Sequence, residues 1–142
     1  MTYNFGSGEV ETELDPNQKL LIAAYDAFNA RDLDRVLLLM HPNVDWPNGM
    51  EGGRVAGVAA VREYWTRQWT IFDPHVDPLS FTTDQEGKVV ANVHQVVRDL
   101  SGLVLMDEQV THIYKIQDGL ILRMDISSAE ALPWKLTGDK SD

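Results

Sequence analysis

From Lys88 to Ser128 the chain alternates hydrophobic and polar positions with a period of two. It reads as three consecutive strands. The first is Val89-Val90-Ala91-Asn92-Val93-His94-Gln95-Val96-Val97-Arg98, the second runs from Val104 to Ile116, and the third from Leu120 to Ile126. Their separators, Asp99-Leu100-Ser101-Gly102 and Gln117-Asp118-Gly119, have the composition of hairpin turns. β-branched and aromatic residues crowd the strands, as a pleated, half-buried surface requires. His94 and His112 interrupt this alternation, and a polar group in an apolar row is either a hydrogen-bonded core residue or part of a pocket.

Upstream the pattern changes to helical spacing. Asp15 can cap a first helix, with Pro16 at its first position and Gln18 completing a capping-box spacing. Leu21, Ala24, Tyr25 and Phe28 give it one apolar face up to about Ala30. Asp32 can cap a shorter helix through Met40, stopped by His41-Pro42. Val44-Asp45-Trp46-Pro47 reads as a short strand, and 48–53 as a glycine-rich loop. Gly57 precedes a third helix whose stripe is Val58, Val61, Trp65, Trp69 and Phe72, with Tyr64 and Gln68 at its edge and Asp73-Pro74 as its end. A strand follows near Val76–Thr83, and Pro78 makes it an edge or bulged strand. Helices first and a meander second indicate an α+β domain, with helices packed on one face of a mostly antiparallel sheet. The predicted organisation is an arm over 1–14, one domain over 15–128 and a tail over 129–142.

Register decides which side chains share a face. A three-residue loop, Leu100-Ser101-Gly102, sets Asp99 opposite Leu103 and His94 opposite Glu108. A second three-residue turn, Gln117-Asp118-Gly119, sets His112 opposite Met124. His94, Glu108 and His112 then share one face, with the histidines roughly 13 Å apart at ~3.3 Å per residue. The rival is a two-residue Asp118-Gly119 turn, which sets His112 opposite Asp125 as a His–Asp pair. On the other face Val93, Gln95, Val97, Thr111 and Ile113 form a mixture of apolar and polar residues whose valine and isoleucine favour a homodimer.

Composition narrows the possibilities. The 142 residues suffice for one core. The formal charge of −10 argues against nucleic acid and against anionic membrane surfaces. The chain has no cysteine, which removes disulfides and thiolate chemistry and suits a cytoplasmic location. No apolar run reaches the length of a membrane span. Met1-Thr2-Tyr3-Asn4-Phe5-Gly6 lacks the basic start and apolar core of a secretory signal.

Phosphate loops, dinucleotide glycine fingerprints and nucleophile elbows are missing from the sequence. The four histidines, His41, His75, His94 and His112, have no metal-ligand spacing, so neither metal nor cofactor is expected. That leaves His94 and His112 as candidate acid–base groups near neutral pH. Asn92 shares the face of His94. Glu108 shares that of His112 and can supply a carboxylate. Trp65 and Tyr64 either pack in the core or line a cavity.

Phe28-Asn29-Ala30-Arg31-Asp32-Leu33-Asp34, the Val44–Pro47 strand, Gly57-Val58-Ala59-Ala60-Val61-Arg62-Glu63-Tyr64-Trp65 and the closing hairpin through Asp125 resemble the nuclear transport factor 2-like superfamily, in its SnoaL-like and ketosteroid-isomerase-like branch. The resemblance covers about residues 15–128. It implies a cone-shaped curved sheet with three helices on its concave face, a pocket between them, and in many members a homodimer through the outer sheet face. The isomerases keep a tyrosine on the first helix, a general-base aspartate on the first strand and an aspartic acid on the second-last strand. Here those positions hold Ala24, Trp46 and His112, so steroid isomerisation is not expected. The Asp-Arg-Asp set of the epoxide hydrolases has no counterpart either.

The expected protein therefore has a mostly apolar pocket for a small hydrophobic molecule bearing a polar group. Its expected lining is Tyr25, Trp46, Tyr64, Trp65, Asn92, Val96, Glu108, Tyr114 and Met124. Three roles remain open. One is a cofactor-independent enzyme using His94 or His112 on a carbonyl compound. The second is a binding protein without turnover, and the third a structural dimer with a filled pocket.

Overall fold

The computed structural model describes residues 14–127. The arm expected over 1–14, save Leu14, and the tail expected over 129–142 lie outside the described residues. The elements are α1 (Pro16–Asn29), α2 (Leu33–Leu38), β1 (Met40–Pro47), β2 (Arg54–Ala56), α3 (Val58–Gln68), β3 (Phe72–Thr83), β4 (Val89–Asp99), β5 (Val104–Gln117) and β6 (Leu120–Ile126). The six strands make one sheet in the order β2-β1-β6-β5-β4-β3. All neighbours are antiparallel except β1 and β6. The architecture is the expected α+β one, a curved open sheet with three helices.

Local chemistry explains the helix starts. Asp15 accepts from the Gln18 backbone N–H at 2.8 Å ahead of Pro16, and Asp32 caps α2 by accepting from Arg35 N–H at 3.3 Å. Leu21, Ala24, Tyr25 and Ala27 are the buried face of α1. They meet Val61, Tyr64 and Trp65 of α3 and Val89, Ala91, Val93, Val110 and Tyr114 of the sheet in one core.

Two expected boundaries move. The second helix ends at Leu38 instead of Met40, because Met40 already pairs with Ile121 of β6 and Leu39 C=O accepts from Ile121 N–H. The third helix ends at Gln68. Trp69 caps it, and Phe72, expected on its stripe, begins β3 opposite Asp99. Proline biases the preceding residue towards extended backbone, so Asp73-Pro74 starts a strand here rather than only stopping a helix. Three-residue β2 was not expected at all. Pro78 behaves as anticipated: β3 is an edge strand, and its register shifts between Pro78 and Ser80.

Register is where expectation and structure part. The β4–β5 loop has the expected length, with Asp99 N–H bonded to Leu103 C=O and Gly102 at φ 99°. Beyond it Arg98 pairs with Val104 but Val97 with Met106, so Leu105 is an extra residue. His94 therefore faces Gln109, not Glu108. The β5–β6 turn is the two-residue one. Asp118 (φ 56°) and Gly119 (φ 75°) make the doubly left-handed turn that matches strand twist, and Gln117 pairs with Leu120. Leu122 is then the extra residue, since Ile116 pairs with Ile121 and Lys115 with Arg123. His112 consequently faces Ile126, neither Met124 nor Asp125. On β4 the inward row is Val89, Ala91, Val93, Gln95 and Val97. Val93 and Val97, expected on the outer face with Gln95, are 0% and 5% exposed core residues.

Candidate functional site

Between α1, α3 and the inner sheet face lies a cavity of about 90 Å³. Buried Tyr25, Val36, Met40, Trp65, His112, Tyr114, Ile121 and Met124 line its deep part, while half-buried Trp46, Pro47, Gly49, Gln68, Gln95 and Ile126 lie towards solvent. None of its described lining residues carries a formal charge at neutral pH. Aromatic rings make the walls: Trp46 meets Trp65 edge-on at 5.3 Å between centroids, and Phe28 meets Trp65 at 5.1 Å. Water needs roughly 10–15 Å³ of such space. The cavity is thus larger than a hydration site yet too small to enclose a multi-ring molecule, which would extend to the mouth.

A hydrogen-bonded chain organises the deep end. Tyr114 donates its hydroxyl to Tyr25 Oη at 2.8 Å, and Tyr25 Oη meets His112 Nδ1 at 2.8 Å, both within the buried interior. When Tyr25 donates its own proton to Nδ1, the neutral ring carries its proton on Nε2 and presents it to the cavity. Burial pulls the His112 pKa down to about 4, so the ring is neutral at pH 7. Burial likewise pushes the Tyr114 hydroxyl well up, and burial, then the neighbouring Tyr114, do the same for Tyr25. Among the described residues, Trp69 Nε1 is the side-chain polar atom both sealed from solvent and without a partner. His112 Nε2 also has no partner there but is not sealed, so it opens on the cavity it lines.

At the mouth, Tyr64 Oη accepts from Gly49 N–H at 3.0 Å and from Gln68 Nε2 at 3.3 Å. It pins the 48–53 loop to α3, helped by the Arg67–Glu51 pair at 3.0 Å.

Of the residues singled out from sequence, Tyr25, Trp46, Tyr64, Trp65, His112, Tyr114 and Met124 come together around the cavity. His94, Asn92 and Val96 do not. They sit on the outer face of β4, where His94 Nε2 meets Asp107 Oδ1 at 2.6 Å and Asn92 donates to Ser80 Oγ. The reason is the extra Leu105, which reverses the face expected for β4 relative to β5. Glu108 is on the inner face opposite Gln95 but is not part of the lining. Asp125 turns outward, where Arg123 and Arg54 bind it; the Arg123 hydrogen bond holds its carboxyl below the usual range. Gln68 and Gln95 are pocket residues that sequence reasoning missed. A signal existed for Gln95: it is the one polar residue in the row Val89, Ala91, Val93, Gln95, Val97. Among the described residues no cluster of three or more acidic or histidine side chains is placed to hold a metal ion, and no helix is long and apolar enough to cross a membrane.

A curved six-strand sheet closed by three helices around an aromatic cavity is the nuclear transport factor 2-like architecture. Within it the chain belongs to the SnoaL-like domain family, whose family model matches residues 21–124. Among solved structures it is similar to TerC, crystallised with polyporic acid, at 27% identity over 87% of this chain and 99% of that one, with a TM-score of 0.73. It is also similar to SMa1630 of Sinorhizobium meliloti, described as a candidate polyketide cyclase, at 23% identity over 77% and 94% of the two chains, TM-score 0.64. RV0760c of Mycobacterium tuberculosis, in complex with estradiol-17beta-hemisuccinate, matches at 16% identity over 84% and 98%, TM-score 0.71. Below 25% identity the likeness shows the fold alone. No curated protein matches the chain.

Proposed function

We propose that this protein binds a small, flat, apolar molecule bearing a carbonyl oxygen, and that His112 is the group that recognises the oxygen. The observation carrying this reading is the division of labour on the ring: Nδ1 is tied to Tyr25, and Nε2 faces an aromatic-walled cavity. A neutral imidazole N–H donates to a carbonyl without requiring a buried charge. TerC, a structural neighbour crystallised with polyporic acid, is in keeping with a ligand of this character.

Binding is favoured over proton abstraction by the same chemistry. A ring whose pKa is pulled down to about 4 is a weak base, and among the described residues no carboxylate lines the cavity to take its place. The chain behind the ring ends at Tyr114, whose hydroxyl is buried and held protonated, so it offers no proton sink. The role that remains for His112 in any turnover is to polarise the carbonyl of a ligand whose reacting proton leaves to solvent.

The test uses β-acetylnaphthalene, a two-ring ketone, and reads quenching of the protein's tryptophan fluorescence. Binding to the wild type and about tenfold weaker binding to His112→Leu are expected, the size of a buried hydrogen bond. Equal affinity for the two proteins would remove His112 from the reading, and no binding to the wild type would remove the ligand class.

A further inference from the structure

A second hydroxyl stands on the cavity wall, apart from the chain behind His112. Tyr64 is 3% exposed, and its Oη accepts from Gly49 N–H at 3.0 Å and from Gln68 Nε2 at 3.3 Å. Tyr64, Gly49 and Gln68 all line the cavity. A hydroxyl oxygen offers two lone pairs and one proton. The two N–H donors take both lone pairs, and among the described residues no acceptor takes the proton. The other two tyrosines of the lining differ: their hydroxyls bond to each other, and Tyr25 also to His112.

The donors to Tyr64 are held in place. Asn48 Oδ1 accepts from the backbone N–H groups of Met50 and Glu51 at 3.1 and 2.8 Å, which fixes the loop that carries Gly49. Arg67 binds Glu51 at 3.0 Å and ties that loop to α3, where Gln68 lies one turn beyond Tyr64. Burial pushes the Tyr64 pKa up, so the hydroxyl keeps its proton at neutral pH. An unpaired proton on a buried hydroxyl is costly, and the cavity is the space where an acceptor can meet it. A molecule too large for the enclosed 90 Å³ runs from His112 to the mouth, where this hydroxyl stands.

We infer that Tyr64 is a second hydrogen-bond donor to the ligand, so that the ligand class is a flat aromatic diketone, with one carbonyl oxygen at His112 and the other at Tyr64 Oη. The inference rests on the carbonyl-binding reading of His112 and extends it. Both donors are neutral, so neither needs a charged ligand. The N–H groups of Gly49 and Gln68 polarise the hydroxyl they bond to and strengthen its donation. An alkyl group at the same place would displace water and leave the proton unpaired, so size alone does not satisfy the site. Gln95, also in the lining, carries both a donor and an acceptor and discriminates neither way.

The probes are β-acetylnaphthalene, the two diacetylnaphthalenes with the second acetyl on a β carbon of the other ring, and their analogues with isopropyl in place of that second acetyl. Isopropyl matches acetyl in size and lacks the oxygen. Quenching of tryptophan fluorescence should show one diketone binding the wild type about tenfold more tightly than its isopropyl analogue, the size of a buried hydrogen bond. In Tyr64→Phe, checked for folding by circular dichroism, that ratio should fall towards one. Because a ratio is read, any loosening of the loop, which weakens both compounds alike, cancels. The wild-type comparison tests the inference without any substitution. If β-acetylnaphthalene binds but neither diketone outdoes its analogue, or the ratio survives in Tyr64→Phe, the Tyr64 donor is wrong and the carbonyl site at His112 stands. If no ketone binds, both readings fall.

Discussion

His94 and His112 occupy adjacent strands of one hairpin, within a few residues of each other across the ladder, and have opposite surroundings. His94 lies on the outer face. Its side chain keeps 40% of its exposure, and its partner is the carboxylate of Asp107 at 2.6 Å. His112 lies on the inner face, 5% exposed, with two tyrosine hydroxyls in line behind it and no carboxylate near its ring. Residue type is therefore a poor guide to role here. His94 is a surface group bonded to a carboxylate, whereas burial keeps the His112 ring neutral. The face, set by register, decides between the two.

The sharpest way to separate the pair is acid. Well above pH 6.5 the ring of residue 112 is neutral in both the folded and the unfolded chain, with no second proton bound. As pH falls towards 4, the unfolded chain binds that proton and the buried ring does not, so stability is lost across this window. About 3 kcal/mol is at stake for the whole interval. Denaturant melts at pH 7 and pH 4.5 should show this loss in the wild type and a clearly smaller one in His112→Gln. An equal loss in both would mean that the ring is not held neutral by burial.

A second substitution acts on the chain behind the ring. Tyr25→Phe leaves Tyr114 Oη and His112 Nδ1 buried without their shared partner, which costs roughly 2 kcal/mol. It also frees the ring to place its proton on either nitrogen, so carbonyl binding weakens along with stability. Chemical denaturation and titration with β-acetylnaphthalene read the two effects; a variant as stable as the wild type would show that the chain contributes nothing.

The smallest effect is expected on the outer face. His94→Ala removes an exposed contact with Asp107, so stability at pH 7 should stay within about 0.5 kcal/mol and ligand affinity should not change. A large loss of affinity in His94→Ala would abolish the contrast between the two faces.

Much of the fold was legible because it is local. Asp15-Pro16, Asp32 and Asp118-Gly119 each announce an element boundary through one mechanism, and each does so in the structure. The aromatic side of the pocket was legible in part, since Tyr25 and Trp65 fall on helical stripes and Tyr64 at the edge of one, and all three turn inward. The sheet side was not, because a strand has two faces and a single extra residue exchanges them. Nothing in Leu105 or Leu122 marks it as a bulge. The row Val89, Ala91, Val93, Val97 is the more apolar of the two on β4 and indicates its own burial; attention to Asn92 and His94 pointed to the other row. The two-residue turn gave the correct loop, yet the inference from turn to His112–Asp125 failed one bulge further along.

The extra residues, Leu79 on β3, Leu105 on β5 and Leu122 on β6, divide the strands into separate reading frames. Removing Leu105 would leave Arg98 opposite Val104 and Val97 opposite Met106, so no residue on the cavity side would change its address. The length of a hairpin tip is thus uncoupled from the order of the inner wall. The tip beyond Leu105, where Leu100, Leu103 and Val104 are exposed, can change by a residue while Glu108 and His112 keep their places on the inner face.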